Sequence, residues 1–151
     1  MFGCVGCDQT TKYTARLYFD GKPRISFMGD TVRIDYAENR GAFLGFGSSL
    51  PKPIRTGLFA VLASILLFGF LVYTLRIGKS TKKEVLAAGL IVGGGVSNLI
   101  DRWVNHGAVI DFLNLGIGSF RTGILNVADM AIMLGVVMYL FSHCDVRSRE
   151  P

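Results

Sequence analysis

Three stretches of the chain are almost free of charge and long enough to form helices buried in a lipid bilayer. The stretch Thr56–Leu75 contains no charged residue, and about 20 helical residues cover roughly 30 Å, the thickness of the hydrocarbon layer. Val85–Ile100 and Ile124–Phe141 are also mainly apolar. The hydrophobic pattern therefore predicts membrane-spanning helices at 56–75, 85–100 and 124–141.

The second of these stretches is rich in small residues. Gly89, Gly93 and Ser97 recur every four residues. In water this glycine content would weaken a helix, whereas in lipid such a row lets two helix backbones approach closely. We therefore interpret 85–100 as a tightly packed membrane helix.

The N-terminal third has a different pattern. Val32, Ile34 and Tyr36 alternate with charged residues, and alternation with a period of two is typical of a β-strand. The segment Arg24–Met28 is expected to pair with this strand through a turn at Met28-Gly29-Asp30. We therefore predict a small β-sheet within residues 13–55.

Composition and charge support a membrane protein. The chain is 50% hydrophobic with only 18% charged residues, against about 25% in soluble domains, and its mean hydropathy is +0.44. The net charge of +5 could suggest nucleic-acid binding. However, basic residues concentrate in the loop 76–83 and the tail 142–151, beside apolar stretches, as the positive-inside rule requires. Residues 13–55 and 101–123 are then placed outside, and no nucleic-acid partner is expected.

The beginning of the chain is short for this topology. Only Met1–Cys7 precede Asp8, which is too few residues to cross a bilayer. We interpret residues 1–12 as the remnant of a first membrane helix. About 10–15 further apolar residues are expected to be encoded upstream of Met1, because a span needs about 20.

Two carboxylates stand out against the apolar background. Asp129 would be the sixth residue of the last span, where a charged group costs about 2.5–3.5 kcal/mol and usually marks function. Asp111 lies in an apolar segment that is too short to span and is predicted to form a re-entrant or interfacial strand. Packing of this strand against the start of the last helix would bring Asp111 towards Asp129. The alternative is that Asp129 caps a helix or pairs with an arginine near the interface.

Two neighbouring carboxylates share a proton, because both cannot easily be ionised at once. The ionised member can activate water and the protonated member can polarise a scissile carbonyl, so no metal or cofactor is expected. The chain contains neither G-x-S-x-G nor H-E-x-x-H, and His106 and His143 are expected on opposite sides of the membrane. The pattern thus predicts an aspartic peptidase. The alternative is a non-enzymatic membrane protein that uses the pair for proton or cation passage.

A second polar cluster closes the glycine-rich stretch. In N-L-I-D-R, Asn98 is three residues from Asp101 and four from Arg102, so their side chains share a helix face. We interpret this cluster as a network that orients the catalytic groups, with Asp101 in a supporting role.

Three other polar residues are candidates for support. Asp8 and Lys12 are four residues apart, which suits a helical ion pair, and the alternative is an ordinary surface pair. Asn39 lies in a Gly-rich apolar loop. It is interpreted either as a turn residue or as an amide that holds substrate backbone.

Five short motifs follow one another along the chain. They are D-Q-T-T-K-Y at 8–13, E-N-R-G-A-F at 38–43, N-L-I-D-R at 98–102, G-A-V-I-D-F at 107–112 and N-V-A-D at 126–129. Each is weak alone, but in this order and spacing they resemble the motifs of signal peptidase II, the lipoprotein signal peptidase of bacteria. The resemblance covers residues 8 to about 135.

The resemblance implies an all-α integral membrane bundle of four transmembrane helices, the first truncated here, with a small periplasmic β-sheet cradle. It implies a single domain in the bacterial cytoplasmic membrane with its active site near the periplasmic face. The implied activity is cleavage of diacylglyceryl-modified prolipoproteins just before the lipidated cysteine. A monomer is expected, with prolipoproteins and membrane lipid as its partners. The implied catalytic residues are Asp111 and Asp129, and the implied substrate contacts are Asn39, Asn98, Arg102 and Asn126.

Overall fold

Four helices and a four-stranded antiparallel sheet make up the residues that the structure, a computed structural model, describes: 1–41, 51–76 and 81–147. The helices are α1 (Phe2–Phe19), α2 (Lys52–Arg76), α3 (Lys82–Val104) and α4 (Val127–Arg147). The strands are β1 (Ile25–Phe27), β2 (Val32–Asn39), β3 (Val109–Ile117) and β4 (Phe120–Leu125), adjacent in that order. The expected combination of four helices with a sheet is confirmed.

Helix α3 is the centre of the bundle and packs against each of the other three helices. A Cβ atom added to Gly94 would lie 2.5 Å from the carbonyl oxygen of Ala128 in α4, and one added to Gly135 would lie 2.8 Å from that of Ala87 in α3. Only glycine permits this approach of the two backbones. The interpretation of 85–100 as a tightly packed helix is therefore confirmed.

A capping box sets the start of α3. The hydroxyl of Thr81 accepts a hydrogen bond from the Glu84 backbone at 3.2 Å, and the Glu84 carboxylate accepts one from the Thr81 backbone at 2.7 Å. This reciprocal pair satisfies two backbone donors that would otherwise be unpaired at a helix start. The helix thus begins three residues before the predicted Val85.

The prediction that the first helix ends at residue 12 and that the outer segment starts at residue 13 is wrong. Helix α1 continues from Phe2 to Phe19, beyond the D-Q-T-T-K-Y motif. Its buried residues, Asp8, Lys12 and Ala15, follow a helical spacing. Asp8 and Lys12, which suggest a helix end, instead lie on the packed face of α1, because α3 and α4 supply their hydrogen-bonding partners.

The predicted hairpin in the N-terminal third is confirmed. Strands β1 and β2 pair antiparallel, with Phe27 opposite Val32. The predicted turn residues Met28, Gly29 and Asp30 all have a positive φ, at 54°, 61° and 71°. Strand β2 also pairs with β3, which places Ala37 opposite Asp111.

The boundaries predicted for 101–123 and for the last span are wrong. Residues 101–104 complete α3, and Phe120–Leu125 form β4, which pairs with β3. Helix α4 consequently begins at Val127 rather than at residue 124, and Asp129 is its third residue. The sheet is therefore larger than the minor addition to an all-α fold that we predicted.

Among the described residues, one helix combines enough length and apolar character to cross a bilayer, namely α3. Shorter apolar stretches occupy Ala60–Thr74 and Val127–Ser142. Parts of the basic loop 76–83, of the basic tail 142–151 and of the E-N-R-G-A-F motif lie outside the described residues.

Candidate active site

Asp111 and Asp129 line one cavity of about 640 Å³. Asp111 lies on β3, and Asp129 lies in the first turn of α4. Asn39, Asn98 and Arg102 line the same cavity. The structure therefore brings both predicted catalytic residues and three of the predicted supporting residues to one place.

Asn126 connects the two aspartates. Its amide nitrogen donates to Oδ1 of Asp111 at 2.6 Å, and its Oδ1 accepts from the backbone N–H of Asp129 at 2.8 Å. The Asn126 backbone N–H donates back to Oδ2 of Asp129 at 3.4 Å, which completes a capping box at the start of α4. Asn126 is fully buried. One local motif thus fixes the start of α4 and holds both carboxylates.

Each aspartate also accepts a hydrogen bond from an asparagine on another element. The amide of Asn39, on β2, donates to Oδ2 of Asp111 at 3.0 Å. The amide of Asn98, on α3, donates to Oδ1 of Asp129 at 2.9 Å. Such donors favour the ionised form of a carboxylate. Asn39 is also a turn residue, since its Oδ1 accepts from the backbone of Gly41 at 3.0 Å.

The environment of Asp111 favours its protonated form. The residue is only 2% exposed. Burial raises the pKa of Asp111 from 3.8 to about 7, and the negative charge of Asp129 acts in the same direction, against the hydrogen bonds from Asn39 and Asn126. A carboxyl group that holds a proton near neutral pH is suited to general acid–base chemistry.

Arg102 supplies a positive charge at the cavity wall. Its guanidinium donates to the backbone oxygens of Asn98 at 3.3 Å and of Gly41 at 3.4 Å. These two bonds use part of its five donors. Among the described residues no other acceptor is seen for this guanidinium, so its other donors can bind a carbonyl oxygen in the cavity.

Asp8, Lys12 and Asp101 form a buried cluster outside the set of residues that line the cavity. The Lys12 ammonium lies 2.7 Å from Oδ2 of Asp8 and 2.9 Å from Oδ2 of Asp101. It also donates to Oδ1 of Asn98 at 2.8 Å, so all three of its N–H donors have acceptors. The predicted Asp8–Lys12 pair is confirmed, and the alternative of a surface pair is wrong, because their exposures are 0% and 1%.

Two members of this network, Gln9 and Ser97, were missed in the sequence. The Gln9 amide donates to Oδ1 of Asp101 at 2.8 Å and to the Ser97 hydroxyl at 3.0 Å. The hydroxyl of Ser97, which is fully buried, donates to Oδ2 of Asp8 at 2.7 Å. The small-residue row predicts only a packing role for Ser97, although a hydroxyl beside the polar N-L-I-D-R motif indicates a hydrogen-bond role.

A comparison with known protein families finds a match over nearly the whole chain. The family model described as Signal peptidase (SPase) II matches residues 1–144. The chain belongs to the signal peptidase II family. Because enzymes of this family are aspartic peptidases, the predicted enzyme class is confirmed. The roles of the individual residues stay predictions.

Several relatives support the family assignment. The lipoprotein signal peptidase of Brevibacillus brevis is 32% identical over 136 residues, which cover 90% of this chain and 86% of that protein. The one from Geobacillus thermodenitrificans is 30% identical, with 92% and 82% covered. A bacterial membrane enzyme solved by the in meso method has the same fold, with a TM-score of 0.83 at 24% identity over 99% of this chain and 88% of that one.

In this signal peptidase II family member, the wall of the cavity away from the carboxylates is apolar. Its residues come from α2 and α4: Leu62, Ala63, Leu66, Ile132, Met133, Val136 and Val137. The polar groups thus stand at one end of a groove formed by apolar side chains of two helices.

Proposed function

We propose that this chain is a multi-pass peptidase of the bacterial cytoplasmic membrane that removes signal peptides from prolipoproteins. The substrates are diacylglyceryl-modified, and cleavage occurs just before the lipidated cysteine. Membership of the signal peptidase II family and the names of the relatives support this activity. The observation that carries the assignment to residues is that Asp111 and Asp129 line one cavity and share Asn126 as a partner.

In the proposed reaction, the two aspartates hold one proton between them. The ionised carboxylate takes a proton from water, whose oxygen attacks the scissile carbonyl carbon. The other carboxyl group gives its proton to the carbonyl oxygen. When the tetrahedral intermediate collapses, the C–N bond breaks and the amine of the lipidated cysteine leaves with a proton from the pair.

The two ends of the cavity suit the two parts of such a substrate. The groove walled by α2 and α4 is apolar and can bury acyl chains. Asn39, Asn98 and Arg102 stand beside the carboxylates, where amide and guanidinium groups can bind the backbone of the signal peptide. Because the acyl chains and the peptide backbone would bind at different ends of the cavity, we infer that the scissile bond is held at a fixed position relative to the lipid.

The proposed placement in the membrane rests on hydropathy. Helix α3 is long and apolar enough to cross, and α2 and α4 each contain an apolar stretch. With the basic loop and the basic tail inside, the starts of β3 and α4 would lie near the periplasmic face. The active site would then be accessible to exported prolipoproteins.

The test is to measure prolipoprotein processing by purified Asp111→Asn and Asp129→Asn. Each change keeps the shape of the side chain but removes its acid–base function, so kcat should fall at least about 100-fold. Asp20→Asn is the matched control, because Asp20 is exposed at the end of α1. Variants that process at the wild-type rate, or that lose only proton conductance, would contradict the proposal.

A further inference from the structure

We propose that Asp8, Lys12 and Asp101 are positioning residues that hold the backbone on which each catalytic aspartate is carried. This inference rests on the proposed function, in which Asp111 and Asp129 form the catalytic pair. In it, each cluster carboxylate binds the backbone N–H of the residue before one catalytic aspartate. Lys12 joins the two carboxylates and orients Asn98.

The two backbone contacts are equivalent. Oδ1 of Asp8 accepts a hydrogen bond from the N–H of Ala128 at 2.7 Å, and Ala128 directly precedes Asp129. Oδ2 of Asp101 accepts one from the N–H of Ile110 at 3.0 Å, and Ile110 directly precedes Asp111. Both bonds are buried. A group on α1 thus fixes the start of α4, and a group on α3 fixes β3.

The positive charge of Lys12 allows Asp8 and Asp101 to be buried close to each other. Two buried carboxylates that share one site cannot easily both be ionised. The Lys12 ammonium lies within 2.9 Å of Asp8 and Asp101, and the three side chains are at most 3% exposed. The cation therefore lies between the two acidic side chains, and each of these side chains accepts one of the two backbone hydrogen bonds.

The third bond of Lys12 sets the orientation of Asn98. An ammonium group has only donors, so Asn98 must turn its Oδ1 towards Lys12, at 2.8 Å. Its NH₂ group is then directed at Asp129, to which it donates at 2.9 Å. Without the cation, only the longer bond from the Asn126 amide, at 3.3 Å, would hold the Asn98 oxygen in this direction.

Helix α1 acts through this cluster rather than in the cavity. In the ranges 1–41, 51–76 and 81–147, the residues that line the cavity come from the other three helices and from β2 and β3. A change at Lys12 should therefore disturb the catalytic step more than substrate binding.

The test compares Lys12→Met with Lys22→Met in detergent. Met has a length similar to that of Lys but no charge, and Lys22 is an exposed lysine just beyond α1. For folded Lys12→Met, kcat should fall at least about tenfold, and by a larger factor than any rise in KM, since a catalytic-step interaction is lost. Lys22→Met should match the wild type in kcat, KM and thermal unfolding.

The pH profile separates positioning from simple support of the fold. Among the described residues, the charged groups around the catalytic pair are Asp8 and Lys12 from α1 and Asp101 and Arg102 from α3. Loss of the Lys12 charge makes the surroundings of Asp111 and Asp129 more negative, and this favours protonation of the pair. The alkaline limb of kcat should therefore move to higher pH. A fall in activity that only matches a loss of folded protein, with the limb unmoved, would overturn the inference.

If Lys12→Met yields no folded protein, Asp101→Asn tests the positioning role instead. This change keeps Lys12 but weakens the acceptor for Ile110, so kcat should again fall with KM nearly unchanged. A folded Asp101→Asn with wild-type kcat would overturn the inference. The proposed function fails separately, since that failure requires Asp111→Asn and Asp129→Asn to remain active.

Discussion

Gly94 lies at a close approach of α3 to α4, the helix that carries Asp129, and Gly94→Ala should push the two helices apart. The added Cβ would lie 2.5 Å from the carbonyl oxygen of Ala128 and 2.8 Å from Cγ1 of Ile132. Ordinary van der Waals contact begins at 3.4 Å, so α4 would have to move by roughly 1 Å. The obstacle is a backbone carbonyl in a helix, which cannot rotate away as a side chain can.

A displacement of about 1 Å near a reacting group costs roughly 100-fold in rate. Overpacking of this kind also costs about 1–3 kcal/mol in the free energy of unfolding. We therefore expect Gly94→Ala to remain largely folded in detergent but to lose about two orders of magnitude in kcat. The assay is cleavage of a fluorescent lipopeptide in micelles, with thermal unfolding followed in parallel.

Gly69→Ala in α2 is the matched control, because a Cβ at Gly69 would meet nothing within 4 Å. This variant should keep the wild-type kcat. A Gly94→Ala variant with both the wild-type kcat and the wild-type unfolding temperature would contradict this prediction, because α4 would then accommodate the methyl group without moving.

Two further predictions concern pH and substrate lipid. Because burial raises the pKa of Asp111 to about 7, the shared proton is retained through mildly acidic pH, and kcat should decrease as pH rises above neutrality. Asn39→Ala removes a donor to ionised Asp111 and should shift this decrease to higher pH, whereas an unchanged profile would argue against Asp111 as the titrating group. Ala63→Phe adds bulk to the apolar wall and should raise KM for a diacylated peptide about tenfold, a loss of about 1.4 kcal/mol. Equal KM values for both proteins would show that acyl chains bind elsewhere.

Helices α2, α3 and α4 could be located from hydropathy, because their apolar stretches are long and nearly free of charge. The hairpin of β1 and β2 was also accessible, since its alternation and its turn are local features. The predicted start of α4 is wrong because hydropathy places Asn126 and Asp129 inside the span. The spacing of an asparagine and an acid three residues apart is that of a capping box, and this local signal would have placed the helix start at Val127.

The extent of α1 and the burial of its polar face could not be predicted in this way. A polar stretch such as 8–13 is normally the end of a membrane helix, unless another part of the chain supplies partners. Here Asp8 binds the backbone of Ala128, 120 residues away, and Lys12 binds Asn98, 86 residues away. Strand β4 was missed for a similar reason, since its position depends on pairing with β3 rather than on a pattern of its own.

The two aspartates differ in the type of element that carries them, and this difference bears on how they divide the proton. Asp129 lies in the first turn of α4, where the helix dipole favours a negative charge. Asp111 lies on a strand that pairs with β2 and β4, and its burial favours the protonated form. The shared proton should therefore reside mainly on Asp111, with Asp129 as the base that activates water. The Asn39→Ala profile tests this division, because Asn39 donates to Asp111 and a shift of the alkaline limb identifies Asp111 as the group that loses the proton.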